Sequence, residues 1–233
     1  MIEQFFPSRC GVCDGLIKGN DGVCETCRQS LPYVGGRICM KCGKPVSEDA
    51  EYCLDCKKWE RCFTSGRAVF LYDENMREAM GRFKYQGRCE YASFYGAQIV
   101  SRLGEQIRRW DAQALVPVPL HDARRRKRGY NQAELLAVEV GKRLDIPVLS
   151  GYVTRERKTA PQKELDFKER NRNLAKAFHI SKEQRRLYPH LKRVIIIDDI
   201  YTTGSTVHYC AKCLLDAGVS QVYFVSVCIG ENE

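Results

Sequence analysis

Hydrophobic residues along this chain alternate between short continuous runs and helical spacing, and the order of the two predicts an architecture. Residues 66–72 and 114–120 read as buried strands, the second ending in prolines, and 193–197 and 221–228 follow as two more, rich in Val and Ile. Between them, residues 74–85 place Met76, Met80 and Phe83 on one face of an amphipathic helix that breaks at Gly87. Residues 91–109 send Phe94, Ile99, Leu103 and Ile107 toward a core, and helices at 132–144 and 206–216 complete the pattern. Cys210 and Cys213 sit on the last of these as small packing residues. Strands alternating with helices predict an α/β domain with a mostly parallel sheet. No apolar run is long enough to span a bilayer.

The strand at 193–197 is expected to end at Asp198 and Asp199, after which Thr202, Thr203, Gly204, Ser205 and Thr206 lead into a helix. Open α/β sheets bind ligands at the carboxyl ends of their strands. Adjacent carboxylates there suit sugar hydroxyls, whereas a glycine, several hydroxyls and a helix N-terminus suit phosphate. A buried strand, two solvated acids and a capped helix form the plain alternative, and acid pairs also end strands in phosphate-accepting signalling domains. The stretch resembles the phosphoribosyl diphosphate (PRPP) signature of type I phosphoribosyltransferases. That resemblance implies Asp198 and Asp199 on the ribose 2′ and 3′ hydroxyls, residues 202–206 around the 5′-phosphate, and Mg²⁺ arriving with PRPP.

The 233 residues, 44% of them hydrophobic, suit one ordinary domain with a small appendage. The N-terminus shows no charged segment followed by an apolar stretch and cleavage site, so a cytoplasmic location is expected. Eight of the 13 cysteines form four Cys-x-x-Cys pairs: Cys10, Cys13, Cys24 and Cys27, then Cys39, Cys42, Cys53 and Cys56 with the same spacing. Doubled knuckles of this kind predict two structural zinc ions rather than disulfides, with consecutive or interleaved pairing left open. The expected division is a zinc module at 1–60 and an α/β domain at 61–233. His121, His179, His190 and His208 have no mutual spacing that suggests a metal site or dyad.

Net charge is +9, but residues 115–193 alone hold 20 Lys or Arg against 9 Asp or Glu. The basic character is therefore local, and it centres on a predicted loop, Arg124 to Arg128, leaving the same sheet edge as Asp198. Such a run reads as a solvated face or as a polyanion site, and diphosphate or nucleic acid contact is the favoured reading, because the arginine fork donates two parallel hydrogen bonds to phosphate. Arg124, Arg126, Arg128, Arg157 and Lys158 are the candidates, with Tyr130, Phe167, Phe63 or Tyr85 as stacking platforms for bases.

Val-Pro-Val-Pro, then Arg-Gly-Tyr-Asn-Gln-Ala, with paired Cys-x-x-Cys knuckles in front and Ile-Asp-Asp-Ile-Tyr-Thr-Thr-Gly behind, resembles the ComF family over nearly the whole chain. Thr154 to Phe178 is similar to that family's segment between the second helix and the PRPP strand, a hood over the active site in related transferases. The resemblance implies a type I phosphoribosyltransferase-like sheet behind a double four-cysteine zinc module. It also implies a role in DNA uptake during transformation, with single-stranded DNA, a ComFA-like DNA helicase and PRPP as partners. The alternative is a genuine phosphoribosyltransferase acting on a free amine or base.

Overall fold

The computed structural model describes residues 8–19, 21–155 and 177–231. Two short helices, α1 Glu25–Gln29 and α2 Leu54–Lys58, belong to the cysteine-rich segment. Four strands, β1 Ser65–Leu71, β2 Ala114–Pro117, β5 Arg193–Tyr201 and β6 Gln221–Ile229, form an all-parallel sheet in the order β1-β6-β5-β2. A small antiparallel pair, β3 Thr154–Arg155 and β4 Phe178–His179, stands apart from it.

A parallel sheet needs both faces covered, and the two-residue period of β5 shows how. Ile195 and Ile197 pack with α3 Glu74–Tyr85, α4 Tyr91–Arg109 and α6 Gln132–Leu144, whose Met76, Met80, Phe83, Ile99, Leu136 and Val140 are all buried. Val194 and Ile196 face the other way, toward Val207, Cys210, Ala211 and Leu214 of α8 Ser205–Asp216. The cysteine-rich segment clasps both layers. Its first half sits on the α3–α4 side, where the Tyr95 hydroxyl donates to the Gly11 carbonyl at 2.6 Å and Arg82 Nη2 to the Val12 carbonyl at 2.6 Å. Its second half joins the α8 side, with Cys39, Cys42 and Cys53 buried in the same cluster as Phe63 and Phe224.

Three expectations are corrected. First, β5 does not end at the acids but continues to Tyr201, because β6 supplies a ladder partner along its length, Asp198 opposite Ser226 and Tyr201 opposite Ile229. Second, residues 122–128 form a helix, α5 Asp122–Arg128, rather than a loop. Its termini explain it: His121 Nδ1 accepts from the Ala123 amide, Asp122 opens the first turn, arginines fill the last, and Gly129 closes it in the left-handed conformation. Third, Phe63 is fully buried, edge-on to Phe224 at 4.9 Å, and presents no face to a base. Phe167, Arg157 and Lys158 lie outside the described residues. The last short helix, α7 Lys182–Leu187, leads into β5.

Candidate functional site

Eight of the 13 cysteines fall into two clusters built from consecutive pairs, Cys10, Cys13, Cys24 and Cys27 in one, Cys39, Cys42, Cys53 and Cys56 in the other. All ligand atoms within a cluster lie within 4.8 Å of one another, with Cys13 and Cys24 Sγ at 3.8 Å and Cys42 and Cys53 Sγ at 3.5 Å. A tetrahedron of sulfurs about 2.3 Å from a central zinc has edges of about 3.8 Å, so the spacing fits the ion. Two structural zinc ions, bound by consecutive pairs, are the reading both clusters support. With four sulfurs apiece, neither leaves a position open for substrate.

The second feature is a cleft of about 150 Å³ at the carboxyl end of β5 and β2. Asp198, Asp199 and Thr206 line it together with Lys84, Arg124, Arg128 and Arg155. The Asp199 amide donates to Asp198 Oδ1 at 2.9 Å, fixing one carboxylate, and Lys84 Nζ lies 3.0 Å from Asp199 Oδ1, fixing the other. Burial pushes the Asp198 carboxyl up to about 7, and the neighbouring Asp199 charge adds to this while Lys84 and Arg155 oppose it. Adjacent carboxylates held this way can accept from two neighbouring hydroxyls.

Past β5 the chain turns through Gly204, whose φ of +74° belongs to the left-handed region. A Cβ there would also sit 2.2 Å from the Tyr201 hydroxyl, so no other residue fits. The Tyr201 ring is held beneath the turn by stacking on Phe224, centroids 4.6 Å apart at 9°. The turn opens the 12-residue α8, whose N-terminal amides are available to an anion.

The structure does not gather every candidate into one place. Thr203 and Ser205, with hydroxyls 3.2 Å apart, line a different hollow of about 190 Å³ shared with Asp55, Trp59, Arg61 and His208. Thr202 and Arg126 are exposed and do not line the cleft. Three residues entered the site without being foreseen: Lys84 from α3, Arg155 from β3, and Arg61, whose Nη2 donates to the Thr203 carbonyl at 2.8 Å. Lys84 lies in the last turn of α3, where basic residues are common, so the sequence carried no signal for it. A larger cavity of about 490 Å³ adjoins the cleft, sharing Pro119, Leu120, Asn131 and Arg155 as a common wall.

Residues 1–57 match the double zinc ribbon domain family. The chain is 33% identical over 230 residues to competence protein F of Haemophilus influenzae, spanning 95% of this chain and 96% of that protein. It is 31% identical over 209 residues to competence protein ComFC of Bacillus subtilis, 87% and 82% of the two chains. It is 30% identical over 230 residues to the DNA utilization protein YhgH of Escherichia coli K12, 95% and 97% of the two. A purine phosphoribosyltransferase from Pyrococcus horikoshii overlaps 60% of this chain and 89% of its own at 15% identity and a TM-score of 0.36, too loose a likeness to bear an argument.

Sheet, helices and clusters together define an α/β protein carrying an N-terminal double zinc ribbon. Relatives this similar over nearly the full length place it further: the chain belongs to the ComF family. No helix among the described residues is long and apolar enough to cross a membrane.

Proposed function

We propose that this protein binds PRPP with Mg²⁺ in the β5 cleft and serves DNA uptake in the cytoplasm, contacting single-stranded DNA through the basic face of α5. The observation that carries the reading is the succession along β5 and α8. Two fixed carboxylates are followed, across a glycine that admits no Cβ, by the amino end of a 12-residue helix. A ribose 5-phosphate has the matching order of groups, a vicinal diol and then an anion.

In this reading Asp198 and Asp199 accept from the 2′ and 3′ hydroxyls, and the backbone of Thr202 to Thr206 surrounds the phosphate. Arg124 and Arg128 on the cleft wall take the diphosphate, with Arg126, Arg157 and Lys158 as further candidates for phosphate or DNA contact. Lys84 already neutralises Asp199, so the donor set suits Mg²⁺ carried by ligand oxygens better than an ion caged by protein. That ion would supply charge neutralisation at the diphosphate. The names of the relatives, competence proteins and DNA utilization proteins, favour work on incoming DNA alongside a ComFA-like helicase.

One observation favours a second reading, a transferase that passes the phosphoribosyl group to a free amine or base: the cavity of about 490 Å³ sharing a wall with the cleft has room for an acceptor. Calorimetric titration of PRPP and Mg²⁺ into the wild type and into the Asp198→Asn, Asp199→Asn double variant tests the common core. Saturable binding to the first alone supports the site. Absence of binding to the wild type overturns it and leaves a basic surface for DNA.

A further inference from the structure

We infer that Lys84 is a positioning residue for the carboxylate pair, acting through Asp199 to offset the repulsion between the two acids and keep them aimed at a diol; this rests on the ribose-binding reading of the cleft. Lys84 stands in the last turn of α3, on a different layer from β5, and nothing in its local sequence distinguishes it from the basic residues that commonly end helices. Its surroundings do. Its side chain is 17% exposed and that of Asp199 14%, and among the described ion pairs no other has both members below one-fifth. An ordinary helix-surface pair such as Lys212 with Asp216 is 55% and 62% exposed, at 3.8 Å.

The charges around the pair explain why a cation belongs there. β5 contributes Asp198 and Asp199, two adjacent acids at a half-buried stretch of the strand. α5 contributes Arg124 and Arg128 on the cleft wall and β3 contributes Arg155, while Lys84 is the group in direct contact. β6 adds Cys228, whose thiol burial holds well above its usual value and therefore neutral. Asn131, Gln132 and Thr206 add neutral polar groups. Two carboxylates this close resist double ionisation, and a protonated one donates where a ribose hydroxyl needs an acceptor. An ammonium 3.0 Å from Asp199 offsets that repulsion and leaves two N–H groups for the cleft.

The experiment is PRPP and Mg²⁺ titration of the full-length, zinc-loaded wild type, Lys84→Met and Lys84→Arg across the neutral pH range. In Lys84→Met the affinity falls about tenfold at neutral pH, and the pH at which affinity rises moves upward by about one unit, the usual effect of withdrawing an opposite charge. Lys84→Arg restores most of the affinity and returns the pH profile. Wild-type affinity and profile in Lys84→Met overturn the assignment, leaving Lys84 a helix-end cation. A wild type that binds no PRPP at any pH overturns the cleft reading itself, and the assignment with it. Should the methionine variant lose its thermal transition or zinc content, Lys84→Gln carries the same comparison.

Discussion

Arg61 Nη2 donates to the Thr203 carbonyl at 2.8 Å, so the chain leaving the second cysteine cluster holds the turn that opens α8. The Arg61 Nε is buried and meets no hydrogen-bond partner among the described residues, which leaves the Thr203 carbonyl to anchor the guanidinium. A charge-assisted hydrogen bond contributes roughly 1.5–3 kcal/mol. Arg61→Ala is expected to weaken PRPP binding about tenfold, equivalent to about 1.4 kcal/mol, while the protein keeps both zinc ions. Calorimetry paired with a zinc assay checks both halves.

The two zinc sites are expected to differ in lability. Cys39 and Cys42 are fully buried and Cys53 nearly so, inside the cluster that also holds Phe63, Tyr201 and Phe224, whereas Cys13 of the first site is exposed. A chromophoric chelator should therefore remove one zinc quickly with the fold retained, and the second only as the protein unfolds. Cys42→Ser should lower the thermal midpoint far more than Cys13→Ser. Two equal, fast removals would show that burial does not control release.

Gly204→Ala is expected to damage the turn itself. An L-residue held at φ +74° costs about 1–2 kcal/mol, and the new Cβ collides with the Tyr201 hydroxyl as well. The expected outcome is a midpoint lower by several degrees and loss of measurable PRPP binding. Adding Tyr201→Phe removes the colliding oxygen, and the thermal melt of the double variant should recover part of the loss.

Most of the scaffold was legible because its signals are periodic. The faces of α3 and α4 follow from apolar spacing, and the clusters from cysteine spacing; pairing was not legible, because consecutive and interleaved arrangements share the same sequence. The run of residues 124–128 hid its helix for the opposite reason: charged residues carry no hydrophobic period, and the stabilising features lie at its two ends. Phe63, flanked by Arg61, Cys62 and Thr64, looked solvent-facing until Tyr201 and Phe224 of two distant strands closed over it. Lys84, Arg155 and Arg61 reach the site from elements far apart in sequence, and only tertiary structure sets such distances.

Asp198 carries a pH signature of opposite sign to that of an ordinary paired carboxylate. Its folded-state value, near 7, lies above the usual value of 3.8, so between those limits the native state holds a proton that the unfolded chain releases. Its contribution to stability is complete below about pH 4 and lost as pH rises through 7. Asp198→Asn removes that loss. Above neutrality the variant should melt at a higher temperature than the wild type, with the gap closing as pH falls. Thermal melts at several pH values decide it, and a gap that widens in acid would overturn the assignment of the proton to Asp198.

The basic face of α5 offers single-stranded DNA two kinds of contact. Arg124, Arg125, Arg126 and Lys127 are exposed, and the Arg128 guanidinium lies 4.6 Å from the Tyr85 ring centroid, with Nη2 donating to the Tyr85 hydroxyl at 3.0 Å. Tyr85 is itself 66% exposed, so an aromatic ring carrying a guanidinium over one face stands in solvent beside Arg128, which lines the cleft. Phosphates would be held by the arginines and a base by the ring, two interactions with different salt dependence. Replacing Arg124 and Arg126 with Ala should reduce the slope of log affinity for single-stranded DNA against log salt by about 0.7 for each phosphate left without its arginine. Tyr85→Ala should instead cost about 1–3 kcal/mol at every salt concentration and leave the slope unchanged. Fluorescence anisotropy over a salt series separates them. Equal slopes in the wild type and the arginine variant would place the DNA elsewhere on the protein, whatever PRPP does in the cleft.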